Sequence, residues 1–215
     1  MSASMHPSDD ILLAYGAGSL DEATSLLVAS HLTFCGECRK TLHAIEAVGG
    51  AVLEDLPPET MKEDALERML DRLSEETEAR PARFHSEAAG SLPRVLQSYI
   101  GGDLSSVRWK RLAPGLEHSL VMNSGRARAR LYRIAPGIAV PDHGHGGTEL
   151  TLVLQGGFSD GETHFGRGDV AIADSATIHH PVADPDGVCI CLAVTDAPLR
   201  LTGFVGRMIS PFIKL

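Results

Sequence analysis

Near the N-terminus, four side chains have the types and spacing to hold a metal ion. The run His31-Leu-Thr-Phe-Cys35-Gly-Glu-Cys38 places one imidazole and two thiols as His-x3-Cys-x2-Cys. On a helix, at about 100° per residue, the three fall within an arc of roughly 60°. Zinc takes nitrogen and sulfur ligands in a tetrahedron, and its structural sites are usually closed by four protein ligands. A helix cannot wrap a fourth ligand round its own metal. That ligand must come from elsewhere, and His6, ahead of the first helix, is the candidate. His43, five residues past Cys38, points off that face. The bland alternative is a redox Cys-x-x-Cys beside an unrelated histidine. In a hybrid of the two, oxidising the thiolates would eject zinc.

A second set lies further along. Residues 137–156 read Gly-x5-His-x-His-x3-Glu-x6-Gly, with His143, His145 and Glu149 at the chemical positions. Two residues apart in an extended segment, the histidines point the same way. Glu149 shares that side if the strand stays regular. Three ligands then converge. Imidazoles with one carboxylate suit zinc or another divalent transition metal, such as iron, manganese, nickel or copper. Cys189 and Cys191 face one side of a late strand. Core packing is the default for such cysteines, with oxidant sensing as the alternative. His85, His118 and His164 have no evident partner and read as surface or loop residues.

The elements that must position these residues change character along the chain. Ser8 with Asp9 and Asp10 starts a helix that Gly16 and Gly18 end. Ser19 and Glu22 form a Ser-x-x-Glu capping box for a second helix, predicted to run through His31 and Cys38 to about Val48 and stop at Gly49 and Gly50. A third follows from about Glu59 to Glu78, with Met61, Ala65, Met69, Leu70 and Leu73 as an apolar stripe suited to docking on another protein. Residues 79–93 read as a linker, and Arg94–Ile100 as a short helix. Beyond about Ser106, short apolar runs between Gly, Pro and Asp turns predict a sandwich or barrel. They are Ala129–Ile134, Leu150–Leu154, Val170–Ala173 and Val188–Val194. The expected architecture is α + β in two domains: helices over residues 1–80, linker and short helix over 81–105, and a β-barrel over 106–215.

Charge divides the same way. Residues 1–80 carry 16 acidic and 6 basic residues, whereas residues 81–215 carry 12 and 13. The net charge of −9 therefore sits on the helical part. It is either a solvated surface or a face built for a basic partner. Phosphate contacts need Lys and Arg, which argues against direct nucleic-acid binding. No apolar stretch is long enough for a membrane span, and the N-terminus lacks the basic start of a signal peptide. A cytoplasmic location with reduced thiols is expected.

The first motif, in a short acidic helical segment, resembles the zinc-binding anti-sigma domain of bacterial anti-sigma factors. The second matches the first cupin motif without a gap. Gly168-Asp169 begins the second cupin motif, whose later histidine falls on His179 with the adjacent His180 as its competitor, and which departs from the family pattern at Asp174, Ala176 and Ala183. Together the two halves resemble ChrR-type anti-sigma factors over almost the whole chain. The resemblance implies zinc on His6, His31, Cys35 and Cys38, and a cupin-like barrel holding zinc or another divalent metal on His143, His145, Glu149 and His179. It implies one-to-one inhibition of an ECF sigma factor of the RpoE type, released under oxidative stress such as singlet oxygen. It implies a regulator rather than an enzyme. The alternative is a cupin metalloenzyme, a dioxygenase or isomerase, with a helical accessory domain.

Overall fold

The computed structural model describes residues 3–74, 92–125, 127–197 and 199–201, with backbone only at 74, 145 and 199–201. The first helix, α1 (Asp9–Gly16), is capped by Ser8, whose hydroxyl accepts from the Ile11 amide at 3.4 Å. The second helix, α2 (Glu22–Leu32), is capped by Asp21 and not by the expected Ser19. The Asp21 carboxylate accepts from the amides of Ala23 (2.9 Å) and Thr24 (3.1 Å), while the Ser19 hydroxyl donates back to Ala14 O. A carboxylate in the first turn also meets the positive end of the helix dipole, so it outcompetes the hydroxyl.

The predicted long helix through Cys38 is in fact two. The chain leaves α2 at Leu32, and α3 (Gly36–Glu54) begins after a break in which Cys35 is extended, with φ −108° and ψ 110°. The Arg39 guanidinium donates to Leu32 O at 2.6 Å and stitches the break together. Gly49 and Gly50 do not stop α3, which runs on to Glu54. A helical glycine costs about 1 kcal/mol but ends a helix only where the chain turns left-handed. The next helix, α4 (Ala65–Ser74), starts later than the expected Glu59, after the Pro57-Pro58 segment. Its expected end at Glu78 lies outside the described residues. Then α5 (Arg94–Ile100) stops on Gly101, whose φ of 75° is left-handed.

After one 3-10 turn, Leu104–Ser106, the remaining regular elements of the described chain are strands. A six-stranded antiparallel sheet has the order β1 (Lys110–Ala113), β2 (Leu116–Asn123), β3 (Arg128–Ile134), β11 (Cys189–Thr195), β5 (Glu149–Gln155), β8 (Val170–Ala173). A second sheet orders β10 (Val182–Ala183), β6 (Gly157–Asp160) and β7 (Thr163–Gly166). A third orders β12 (Leu199–Leu201), β4 (His143–His145) and β9 (Ile178–His179).

Both faces of the large sheet are covered, which is why β11 reads as an unbroken apolar run. On one face Leu131, Leu152 and Leu192 pack against Ala23, Leu26 and Leu27 of α2 and Leu96 of α5. On the other, Ile134, Val153, Cys189 and Cys191 meet Phe158 inside the barrel. Helix α2 is buried on a second side too, where Val28 joins Leu12, Cys35 and Cys38. The helical part is therefore packed onto the barrel through one shared helix. Each buried leucine there contributes about 1.5–3 kcal/mol. Among the described residues, no helix is long and apolar enough to cross a membrane.

Two candidate metal centres

Four chain segments build the first centre. His6 comes from the N-terminal arm, His31 from the last turn of α2, Cys35 from the break, and Cys38 from the first turn of α3. The expected single helical face does not exist. The break is what turns the Cys35 sulfur toward the others. His31 Nε2 lies 3.2 Å from Cys38 Sγ, and His6 Nδ1 lies 3.4 and 3.5 Å from the sulfurs of Cys35 and Cys38. All four donor atoms are within 4.8 Å of one another. A tetrahedral zinc with bonds of 2.0–2.3 Å separates its donors by about 3.3–3.8 Å, so this group fits one.

The barrel holds these ligands in place. The turn between β7 and β8 contains Gly168 and Asp169. His31 Nδ1 lies 2.8 Å from Gly168 O, and a carbonyl only accepts, so Nδ1 carries the proton and Nε2 is free for metal. Burial pushes His31 below the ordinary imidazole range, which keeps it in the neutral, ligand form. The Asp169 carboxylate accepts from the amides of Ser4 (2.6 Å), Met5 (3.0 Å) and Gly166 (2.8 Å). Val170 N donates to Met5 O at 3.1 Å. Burial opposes the Asp169 charge, but the bonds from Met5, Ser4 and Gly166 outweigh it and hold the carboxyl below its usual range. The arm that carries His6 is thus tied to the barrel. Burial and the neighbouring Cys35 push the Cys38 thiol up to about 12. A cation among the donors reverses that penalty by binding the thiolate.

In the second centre, His143 of β4 lies directly opposite His179 of β9. His143 Nδ1 donates to Pro141 O (2.8 Å) and His179 Nδ1 to the Asp160 carboxylate (2.9 Å). The two Nε2 atoms then face each other at 2.9 Å, close enough for one cation to take both as ligands. Glu149 completes the group within 4.8 Å. Burial pushes its carboxyl up to about 7, against a hydrogen bond from the Thr151 hydroxyl. Glu149 does not share a strand with His143, contrary to the regular-strand expectation. The chain bends at Gly146-Gly147 and Glu149 opens β5 in another sheet. His145 lies on β4 opposite Leu199, and its side chain is outside the described set. His180 points away and pairs with Asp142 at 2.8 Å. A mostly apolar cavity of about 120 Å³ opens beside the centre, walled by Leu116, Ile134, Phe158 and Phe165.

The ChrR cupin-like domain family matches residues 97–198. The anti-sigma-E factor ChrR of Cereibacter sphaeroides is 45% identical over 215 residues, covering 100% of both chains. This chain belongs to the ChrR family of anti-sigma factors. The structure of Rhodobacter sphaeroides SigE in complex with the anti-sigma ChrR is similar at a TM-score of 0.79 and 42% identity, over 91% of this chain and 100% of that one. The full-length relative is an anti-sigma factor and not an enzyme, so the cupin fold here is no sign of catalysis.

Several residues of this ChrR-family chain escaped sequence reasoning. Asp160, Gly168 and Asp169 orient ligands from far along the chain, and no local pattern marks that role. His118, expected at the surface or in a loop, lies half-buried on β2 against Tyr132. His164 is on β7 and pairs with Asp184 at 2.9 Å. His85 lies outside the described residues. His43 is exposed and pairs with Glu46, away from the first centre. The sulfurs of Cys189 and Cys191 lie 3.4 Å apart, fully buried.

Proposed function

We propose that this chain binds an ECF sigma factor of the RpoE type one-to-one in the cytoplasm, holds it inactive, and releases it under oxidative stress such as singlet oxygen. The bare apolar face of α4 carries the reading. Leu66, Met69, Leu70 and Leu73 follow the i, i+3, i+4, i+7 pattern of one helix face and are 71%, 64%, 53% and 75% exposed. Such a stripe is a helix-in-groove anchor. Val48, Val52 and Leu53 extend the bare surface along α3. The acidic balance of residues 1–80 suits a basic partner. The similarity to an anti-sigma factor solved with its sigma partner supports the same reading.

In this reading the chain divides into a helical sigma-binding domain over residues 1–80, a joining segment over 81–105 and a sensing barrel over 106–215. The first centre is a zinc site on His6, His31, Cys35 and Cys38 that shapes the helices. The second holds zinc or another divalent transition metal on His143, His145, Glu149 and His179. The link between them is the turn at Gly168 and Asp169, which contacts both the first centre and the barrel wall. A change in the barrel can weaken sigma binding only if it favours the free state, and this turn offers the route.

The test is co-purification with an ECF sigma factor from a bacterial host. A one-to-one complex is expected on gel filtration. The double variant Leu66→Asp, Leu70→Asp should lose the sigma factor without a change in melting temperature. Undiminished binding by the double variant would refute the α4 anchor.

A further inference from the structure

All four cysteines are buried, so an oxidant arriving from solvent does not meet a thiol first. The exposed sulfurs are thioethers. Among the described residues Met61 is 81% exposed, Met69 64% and Met5 40%, while Met122 is half-buried against the core. The two most exposed lie together. Met61 sits just before α4 and Met69 is on it, and both wall one open hollow on the surface. Met69 also belongs to the bare face of α4, three residues after Leu66 and four before Leu73.

Charged side chains border the same hollow. They are Lys62, Arg68 and Arg72, with one carboxylate, Asp64, which pairs with Arg68 at 3.8 Å. A thioether makes little use of such neighbours, because its sulfur is a weak acceptor. A sulfoxide oxygen is a strong one, and cationic N–H donors stand beside the place where it would form. The hollow therefore accommodates an oxidised sulfur in the free chain. A partner seated on the bare face does not. Oxidation turns a flexible apolar side chain into a polar one and disrupts the contacts made through it.

We infer that Met61 and Met69 form a paired oxidation site, and that their conversion to sulfoxides stops the free chain from recapturing its sigma factor. This rests on the docking role proposed for α4 and adds its regulation. Singlet oxygen carries two oxygen atoms, and a sulfoxide takes one. The molecule adds to one sulfur as a persulfoxide, S–O–O. The outer oxygen then passes to the second sulfur as the O–O bond breaks. Each sulfur gives up two electrons, each oxygen gains two, and no proton moves. Two thioethers on one hollow match that demand. The barrel then releases sigma, and the sulfur pair keeps it released until reductases restore the thioethers.

The experiment uses the full, metal-loaded chain without sigma factor. Singlet oxygen is made by a dye under visible light, and exposure is kept to the first uptake of oxygen. Peptide masses should show one oxygen each on Met61 and Met69, ahead of Met5 and Met122. The irradiated chain is then split, and one half is treated with the two methionine sulfoxide reductases, one for each epimer. Treatment should tighten sigma binding by at least about tenfold, the scale of an apolar contact regained. The reductases act on no other oxidised residue, so changes at the barrel drop out of this ratio. In the double variant Met61→Leu, Met69→Leu the ratio should be about one, whatever its starting affinity, because leucine has no sulfur to reduce. The proposal is overturned if Met5 or Met122 oxidises first, if the reductases leave binding unchanged, or if they restore the double variant equally. The α4 reading survives all three results, since it turns on whether the chain binds sigma before irradiation. A chain that fails to bind then removes both. Should the double variant fail to fold, the peptide masses and the reductase ratio of the parent chain decide.

Discussion

The two metal centres differ in what surrounds them. The first takes two thiols and two imidazoles from an arm, the end of α2, the break and the start of α3, and the barrel turn braces the arm and the α2 end. Its donors close on one another with little room left. The second takes imidazoles and a carboxylate from strands of two sheets and borders an apolar cavity. A closed sulfur-rich site fixes a shape, whereas one beside a cavity can be reached by small molecules. On the proposed reading, the centre nearest the bare face of α3 and α4 is the structural one, and the centre beside the cavity lies on the far side of the α2 interface.

The contrast can be broken at either end. Replacing both Cys35 and Cys38 by Ser should remove metal from the first centre only, and reduce sigma affinity by more than about a hundredfold, since structural zinc supplies folding energy outright. Metal analysis and a binding titration check this. Retained affinity would make the first centre dispensable. Next comes Leu27→Ala, fully buried between helices and barrel. It should cost about 2–5 kcal/mol in denaturant unfolding, as a single transition if the two parts share a core. Two separate transitions would show that they fold apart.

Asp169→Asn should cost less, about 1.5–3 kcal/mol, because it weakens charge-assisted bonds to the arm. It should also speed zinc loss to a chelator several-fold, although Asp169 touches no metal ligand. An unchanged release rate would mean that the turn does not brace the first centre. The smallest effect on sigma affinity is expected from Glu149→Gln, under about threefold, together with loss of barrel metal and of release by singlet oxygen. A large loss of affinity there would erase the division between a shaping centre and a responsive one.

The residue types at both centres were legible because their spacing is local. The tertiary path was not. The sequence reading placed His31, Cys35 and Cys38 on one helix face, but the chain breaks at Thr33–Cys35 to aim the sulfur of Cys35. No propensity forbids a helix there, and the packing of Leu12, Val28 and Cys38 around the break decides it. Glu149 could share the side of His143 only on a regular strand, and the bend at Gly146-Gly147 moves it to another sheet. His179 faces His143 and His180 faces outward because neighbours on a strand alternate. The bond between His31 and Gly168 spans 137 residues, so no window of sequence could contain it.

That bond has a consequence for how the protein can vary. Its acceptor is a main-chain carbonyl, and no side-chain replacement at position 168 deletes a carbonyl. What can change is the path of the turn. Gly168 sits at φ +95°, and a Cβ there would come within 3.0 Å of Phe34 Cβ. The link between helices and barrel is therefore inherited through the course of the backbone. Paired substitutions will not reveal it, and lineages that retune it will do so by reshaping the turn or the Phe34 ring against it.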